Sequence, residues 1–404
     1  MKKIGKLLLL LIPFFAVEQA TAQAGLIEKL DGSKIGEREI DSTVKSLMSR
    51  AEIPGMGLAI LNNKKKVFLK TYGFKDRSGG KLLDTTSILY AASFSKAVCG
   101  FLCMRLVENK ILDLDKPLHH YLKKPIAEYE NFSELRNDDR WQKITARMCL
   151  SHTTGFPNLK WFDPTAADPE FDSLGVVKIY FEPGTKYAYS GEAFKLLQVA
   201  LEDITGKPFD ELAVEYVFKP AGMNRSGYVW HDNFGDDLAI GHNEKGQQDI
   251  KRKRTVAVAG GSMVTTIEDY TRFIEYVVRG KGIRKATFDE MIRPQIRIYS
   301  QTQFPPITQA TTHENDDIQL SYGLGWGLMQ TPYGRAFFKE GSDDAWKNYN
   351  INFIDRGISI IIMTNSVNGS MIFKDLLEKL IGDTFTPWKW EGYYPVGYEG
   401  ISPK

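Results

Sequence analysis

The sequence predicts an α+β fold, with an antiparallel sheet built from both ends of the chain, flanked by helices, and a mainly helical lobe inserted between its halves. Three observations carry this expectation. Strand-like apolar runs lie near the start, from Met56 to Tyr72, and again near the end, from Gly334 to Thr364. Helical spacing is confined to the segments between and after them. The long middle stretch, from about Pro125 to Arg254, is irregular and rich in Asp, Pro and aromatic residues.

The elements follow in order. Residues 1–24 read as an export signal: Lys2, Lys3 and Lys6 open it, Leu7 to Val17 form a short apolar core, and Ala20-Thr21-Ala22 or Ala22-Gln23-Ala24 offer cleavage sites. The core is too short to span a bilayer comfortably, and no cysteine follows it to take a lipid. A hairpin comes next, Met56 to Leu61 and Val67 to Tyr72, turning at Asn62-Asn63-Lys64. Gly79-Gly80 marks a further turn.

A helix is expected from Ser93 to Asn109, with Ala97, Phe101, Met104 and Val107 at helical spacing. Leu112 to Leu122 reads as a surface connection. Further helices are predicted at Gly191 to Ile204, stopped by Gly206, at Phe209 to Phe218, and at Thr266 to Val278. Three strands follow, Gly334 to Phe338, Trp346 to Phe353 and Gly357 to Thr364, with Asp355-Arg356-Gly357 turning between the last two. A closing helix spans Met371 to Ile381. The α/β lobe thus takes 25–92 and 255–385, the first long helix and the helical lobe take 93–254, and 386–404 form an aromatic-rich tail. Its Trp388, Trp390, Tyr393, Tyr394 and Tyr398 read as a tail packed back onto the body, with a sugar-binding strip as the alternative.

Composition narrows the function. With 404 residues, 43% hydrophobic and 25% charged, the chain can bury a large core unaided. A net charge of +2 indicates no strongly charged partner. The basic clusters Lys64-Lys65-Lys66 and Lys251-Arg252-Lys253-Arg254 are short enough to be solvated turns, and no nucleic-acid partner is expected. Cys99 and Cys103 lie one helical turn apart, where disulfide geometry is poor, and Cys149 sits in an apolar run, so all three are expected as buried free thiols. The six histidines lack metal-ligand spacing, and neither a Gly-x-Ser-x-Gly elbow nor a phosphate-cradling loop is present. No cofactor and no metal are expected.

Chemistry concentrates at Ser93-Phe94-Ser95-Lys96, at the start of a predicted helix. Three residues is about one helical turn, so Ser93 and Lys96 share a face. A nearby amine that can take its proton turns a serine into a nucleophile. The helix start adds positive potential and free N–H groups suited to a developing oxyanion.

Further segments accompany this one in a fixed order. They are Leu112 to Pro117, Leu150-Ser151-His152-Thr153-Thr154-Gly155, Pro183-Gly184-Thr185, Tyr189-Ser190-Gly191, Ala259-Gly260-Gly261-Ser262, Tyr322 to Trp326 and Lys339-Glu340-Gly341. Together, over roughly residues 40 to 382, they resemble the superfamily of class C serine β-lactamases and penicillin-binding proteins. The resemblance implies a β-lactamase/transpeptidase-like fold and an exported enzyme working through an acyl-enzyme on Ser93. It also implies that Lys96 helps accept the serine proton, that Tyr189 is a general base, and that Lys339 supplies a second cation. Two flanking ammonium groups would favour the phenolate form of such a tyrosine. The backbone N–H groups of Ser93 and Ser342 would form the oxyanion hole. His152 is expected to be structural.

Two positions depart from the family pattern and bear on substrate binding, with Gly341 beside them. Gly191 replaces the usual Asn, removing a side-chain amide. Glu340 replaces a small hydroxyl and would partly cancel the charge of Lys339. Both changes point to an esterase or a D-amino-acid peptidase acting on a small ester, amide or peptide. A β-lactamase or an acyltransferase of the same fold remains the alternative, and a non-catalytic penicillin-binding sensor is least favoured. The place of action implied is the periplasm or the outside of the cell.

Overall fold

The computed structural model describes residues 25–160, 175–249, 253–303 and 310–399. The export-signal reading, and Lys251 and Arg252 of the second basic cluster, lie outside the described residues. One antiparallel sheet dominates. In chain order its strands are β1 (Gly55–Asn62), β2 (Lys65–Asp76), β3 (Lys81–Leu82), β4 (Ile296–Arg297), β5 (Ser321–Tyr322), β6 (Gly327–Thr331), β7 (Gly334–Asp343), β8 (Trp346–Phe353) and β9 (Ile358–Thr364). Their order across the sheet is β4-β5-β6-β7-β8-β9-β1-β2-β3.

The two ends of the chain meet where β9 pairs with β1, Ile360 opposite Ile60 and Ile362 opposite Leu58. Both strands are buried along most of their length, so the β-branched run Ile358 to Thr364 packs on both faces. The hairpin turn falls at Asn63-Lys64, both with positive φ. Strand β7 runs past the expected Phe338 to Asp343, because β8 continues to pair with it there.

Helix α1 (Glu37–Arg50) lays Ile40, Val44 and Leu47 on one side of the sheet. Helix α2 (Phe94–Glu108) is a different kind of helix. Every residue from Phe94 to Met104 is buried, so it is enclosed on all faces rather than amphipathic. Phe94 stacks on Tyr270 at 4.1 Å, and Phe101 meets Phe273 and Tyr276 edge-on at 5.8 and 6.0 Å. Tyr270 and Phe273 belong to α4 (Ile267–Val278), which Thr266 caps by accepting from the Asp269 N–H. Between them runs α3 (Gly191–Thr205), capped by Ser190 and closed by Gly206 at φ +69°.

The first half of the inserted lobe is irregular, as its composition predicts. Between α2 and α3 the described chain makes short 3₁₀ turns at Leu118–His120, Ile126–Glu128, Glu130–Asn137 and Asp139–Lys143, plus one short α-helix at Ala146–Leu150. Prolines and aspartates interrupt it too often for longer runs. Cys99, Cys103 and Cys149 are buried and free, and among the described residues no helix is long and apolar enough to cross a membrane. In the tail, Trp390 and Tyr393 are buried, Tyr393 edge-on to Tyr349 and Phe373.

Phe101→Ala is expected to destabilise the fold by about 3–5 kcal/mol, since its ring is fully buried against Phe273 and Tyr276. Denaturant unfolding measures this, and a loss below about 1 kcal/mol would contradict the packing described.

Candidate active site

The start of α2 is held in an unusual backbone. Ala92 has φ +48°, a left-handed conformation rare for a residue with a side chain. It turns the chain so that Ser93 takes the N-cap position, half-exposed, at the head of a buried helix. The Ser95 hydroxyl fixes this turn by donating to the Ala92 carbonyl at 2.6 Å and accepting from the Met263 N–H at 3.1 Å.

One turn further on, Lys96 reaches back to Ser93, with Nζ 3.1 Å from Oγ. The same Nζ donates to the Gly260 carbonyl at 2.7 Å. Lys96 is buried and has no carboxylate bonded to it among the described residues. Burial, and then the charge of Lys339, push its pKa down to about 7, with Glu340 opposing. An amine that shares its proton equally with water at neutral pH can accept one from serine.

Tyr189 arrives on the segment before α3 and is buried. Its ring stacks on His152 at 4.2 Å, and both Lys96 and Lys339 stand over it, at 4.8 and 4.9 Å from its centroid. Lys339 Nζ bonds the phenol oxygen at 3.1 Å. Lys339 also forms an ion pair with Glu340, both side chains buried. Burial, and then the Glu340 carboxylate, push the phenol's pKa well above its ordinary value, while its hydrogen bond with Ser93 opposes. The phenolate expected from two flanking ammonium groups is therefore not favoured: burial and Glu340 outweigh them. Burial also lowers the pKa of Lys339, which Glu340 opposes.

His152 is buried with φ +58°, and its Nδ1 accepts from the Ser190 N–H at 3.0 Å. Burial, then Lys96 and Lys339, hold its pKa well below the ordinary range. A neutral imidazole that accepts a backbone N–H anchors the Tyr189 segment, in line with the structural reading.

Strand β7 closes the site. It pairs with β6 only as far as Phe338, so Lys339 to Asp343 have a sheet partner on the β8 side alone. Gly341 lets the strand come close: a Cβ there would lie 2.5 Å from the Ala91 carbonyl oxygen. Asn348 of β8 ties the same place together by donating to the Tyr90 carbonyl at 3.1 Å. Ser342 follows on the strand, exposed, its hydroxyl bonded by the Lys347 ammonium.

Gly191 is enclosed rather than vacant. Its N–H is shared by the main-chain and side-chain oxygens of Asn158, each at 3.1 Å, and a Cβ would fall 2.6 Å from that main-chain oxygen. Asn158 and the Gly260 carbonyl are the site residues that sequence reasoning missed. Gly260 lay inside a segment that matched the family pattern, so a signal existed. Asn158 had none, since only the folded loop brings it to Gly191.

Ser93, Lys96, Tyr189 and Lys339 thus form one connected set, with Gly341 and Ser342 against the start of α2. A family model described as Beta-lactamase matches residues 40–382. The D-alanyl-D-alanine-carboxypeptidase/endopeptidase AmpH of Escherichia coli K12 is 24% identical over 349 residues, covering 81% of this chain and 85% of that protein. Penicillin-binding protein 4* of Bacillus subtilis is 23% identical over 313 residues, covering 73% and 64%. Among solved structures, the octameric penicillin-binding protein homologue from Pyrococcus abyssi aligns with a TM-score of 0.67 and 18% identity, over 86% of this chain and 78% of that one. The D-alanine carboxypeptidase AmpC from Burkholderia cenocepacia aligns at 0.65 and 16%, over 85% and 98%.

Gly341→Val is expected to push β7 off the Ala91 carbonyl and abolish acylation of Ser93, while the fold's circular dichroism stays native. Covalent labelling by a serine-directed reagent reads this, and a labelling rate equal to the unsubstituted protein would show the close approach to be unnecessary.

Proposed function

The chain belongs to the Beta-lactamase family of serine hydrolases, and from that premise we propose that it cleaves a small ester or amide through an acyl-enzyme on Ser93, with Lys96 as the base that activates it. The carrying observation is the 3.1 Å contact between Lys96 Nζ and Ser93 Oγ, together with a lysine pKa brought to about 7. Ser93 Oγ bonds to the substrate's carbonyl carbon as its proton passes to Nζ of Lys96. The resulting ammonium returns a proton to the departing oxygen or nitrogen. A water molecule then repeats the sequence in reverse and frees the acid and Ser93.

Tyr189 acts as a neutral phenol in this scheme, bonded to both Ser93 and Lys339 and able to pass a proton along that line. The N–H groups of Ser93 and Ser342 receive the negative charge on the carbonyl oxygen. Lys339 is neutralised by Glu340, so it offers little to an anionic substrate. Neutral esters and small amides fit best, and the Asn158 carboxamide stands where an acyl-amide contact from residue 191 would otherwise be made.

A second reading, a peptidase for chains ending in a carboxylate, is favoured by Lys347. Its ammonium reaches the Ser342 hydroxyl and forms no ion pair within 4.0 Å among the described residues. The D-Ala-D-Ala specificity in the name of the Escherichia coli relative agrees with it. Residues 1–24 make export to the periplasm or the medium part of either reading.

For wild type, kcat/KM for p-nitrophenyl butyrate is expected to rise across neutrality with a midpoint near 7 and to vanish in Ser93→Ala. The sign follows from Lys96, which is inactive as ammonium and active as amine. A flat profile through neutrality would rule out Lys96 as the titrating base. A peptide ending in a free carboxylate, if turned over faster than the ester and slowed by Lys347→Met, would establish the second reading.

A further inference from the structure

The C-terminal tail lies beyond residues 40–382, the part of the chain that the family model matches, yet its contacts lead to the active site. Its one-turn helix Trp388–Glu391 is pinned at Trp390. The Trp390 carbonyl accepts from the Gln303 N–H at 2.9 Å, and its Nε1 donates to Ser300 Oγ at 3.1 Å. Tyr393 anchors the chain that follows, edge-on to Tyr349 of β8 and to Phe373. So fixed, the buried Trp390 ring lies against Tyr187, with ring centroids 6.2 Å apart.

Tyr187 stands two residues before Tyr189, and its ring belongs to the cluster that supports that segment. It packs on Tyr322 of β5 at 5.5 Å and meets His152 edge-on at 6.0 Å. Tyr322 meets His152 as well, at 4.7 Å. His152 in turn holds Tyr189 in three ways. Its main-chain oxygen accepts from the Ala188 N–H at 2.9 Å, its Nδ1 accepts from the Ser190 N–H at 3.0 Å, and its ring stacks on the phenol at 4.2 Å. Tyr189 is thus slung between two hydrogen bonds to one residue, and the rings packed around that residue are completed from the tail.

We propose that Trp390 is a positioning residue of the active site: it completes the cluster of Tyr187, Tyr322 and His152 that fixes the Tyr189 ring, and with it the phenol oxygen 3.1 Å from Lys339 Nζ. A ring removed from a packed interior leaves a void that its neighbours fill only in part. The neighbour here is Tyr187, and a shift of that ring loosens His152 and the Tyr189 segment bonded to it. Proton transfer needs the phenol within hydrogen-bond reach, so such looseness slows the chemical steps and leaves substrate binding alone. This rests on the acyl-enzyme reading given above, in which Tyr189 passes protons.

The test measures kcat and KM for p-nitrophenyl butyrate in the full chain, with folding checked by circular dichroism. The proteins compared are wild type, Trp390→Ala, Trp390→Phe, Tyr187→Leu and the double variant carrying Trp390→Ala and Tyr187→Leu. Trp390→Ala is expected to lower kcat about tenfold with KM unchanged, and Trp390→Phe, which keeps a ring there, to recover most of it. The double variant is expected to be no slower than the slower single, because both changes act through one contact. A wild-type kcat in folded Trp390→Ala would overturn the proposal. So would a raised KM with kcat unchanged, or losses that multiply in the double variant. Should Trp390→Ala not fold, Trp390→Leu takes its place in every comparison, and unfolding of both would leave Trp390 a packing residue only and overturn the proposal. A wild type inactive on the ester and unlabelled at Ser93 would instead overturn the acyl-enzyme reading, and this inference with it.

Discussion

The structure turns on the burial of two lysines in one pocket with a single carboxylate directly bound to either. Lys96 and Lys339 share the Tyr189 ring between them, and Glu340 pairs with Lys339 alone. Two ammonium groups out of water repel each other and lack solvation, so the unpaired one yields its proton. That is Lys96, brought to about 7. Between about 7 and the ordinary 10.5 the unfolded chain holds this proton and the folded chain does not, so folding becomes more favourable as pH rises through that window. The fold thus gives up stability at neutral pH to hold an amine that can take the proton of Ser93.

The rest of the architecture serves to keep that arrangement dry and close. Helix α2 is enclosed on every face, which is why a lysine in its first turn loses contact with solvent. The strained Ala92 turns the chain so that Ser93 caps the helix from a half-buried position. Strand β7 leaves β6 after Phe338, and its unpaired edge is free to meet the start of α2, with Gly341 allowing the approach. The single sheet joins both chain ends through β9 and β1, so residues from 93 to 342 are fixed on one frame.

Much of this was legible in the sequence, and the pattern of what was not has a physical cause. Ser93 and Lys96 are one helical turn apart, so local spacing alone places them together. The hairpin of β1 and β2, the capped helices α3 and α4, and the strands β8 and β9 follow from period and turn residues that neighbours in sequence determine. Tyr189 and Lys339 were reached through the order of short segments, and the structure puts them together, Lys339 Nζ 3.1 Å from the phenol oxygen. The effect of Glu340 on Lys339 was read with the correct sign. The state of Tyr189 was not, because desolvation depends on packing by residues far apart in sequence, such as His152, Lys96 and Lys339, and leaves no trace in a linear pattern. Asn158 beside Gly191 and the Gly260 carbonyl on Lys96 are likewise products of tertiary contact.

The most direct measurement of the central claim is a titration of the Lys96 side chain itself, by NMR of protein carrying ¹³C at the lysine Cε, assigned by comparison with Lys96→Arg. One resonance, absent in that variant, is expected to titrate with a midpoint near 7. A Lys96 resonance that stays protonated up to the ordinary lysine value of 10.5 would contradict the account, because no neutral amine would then stand beside Ser93 at the pH where the enzyme works.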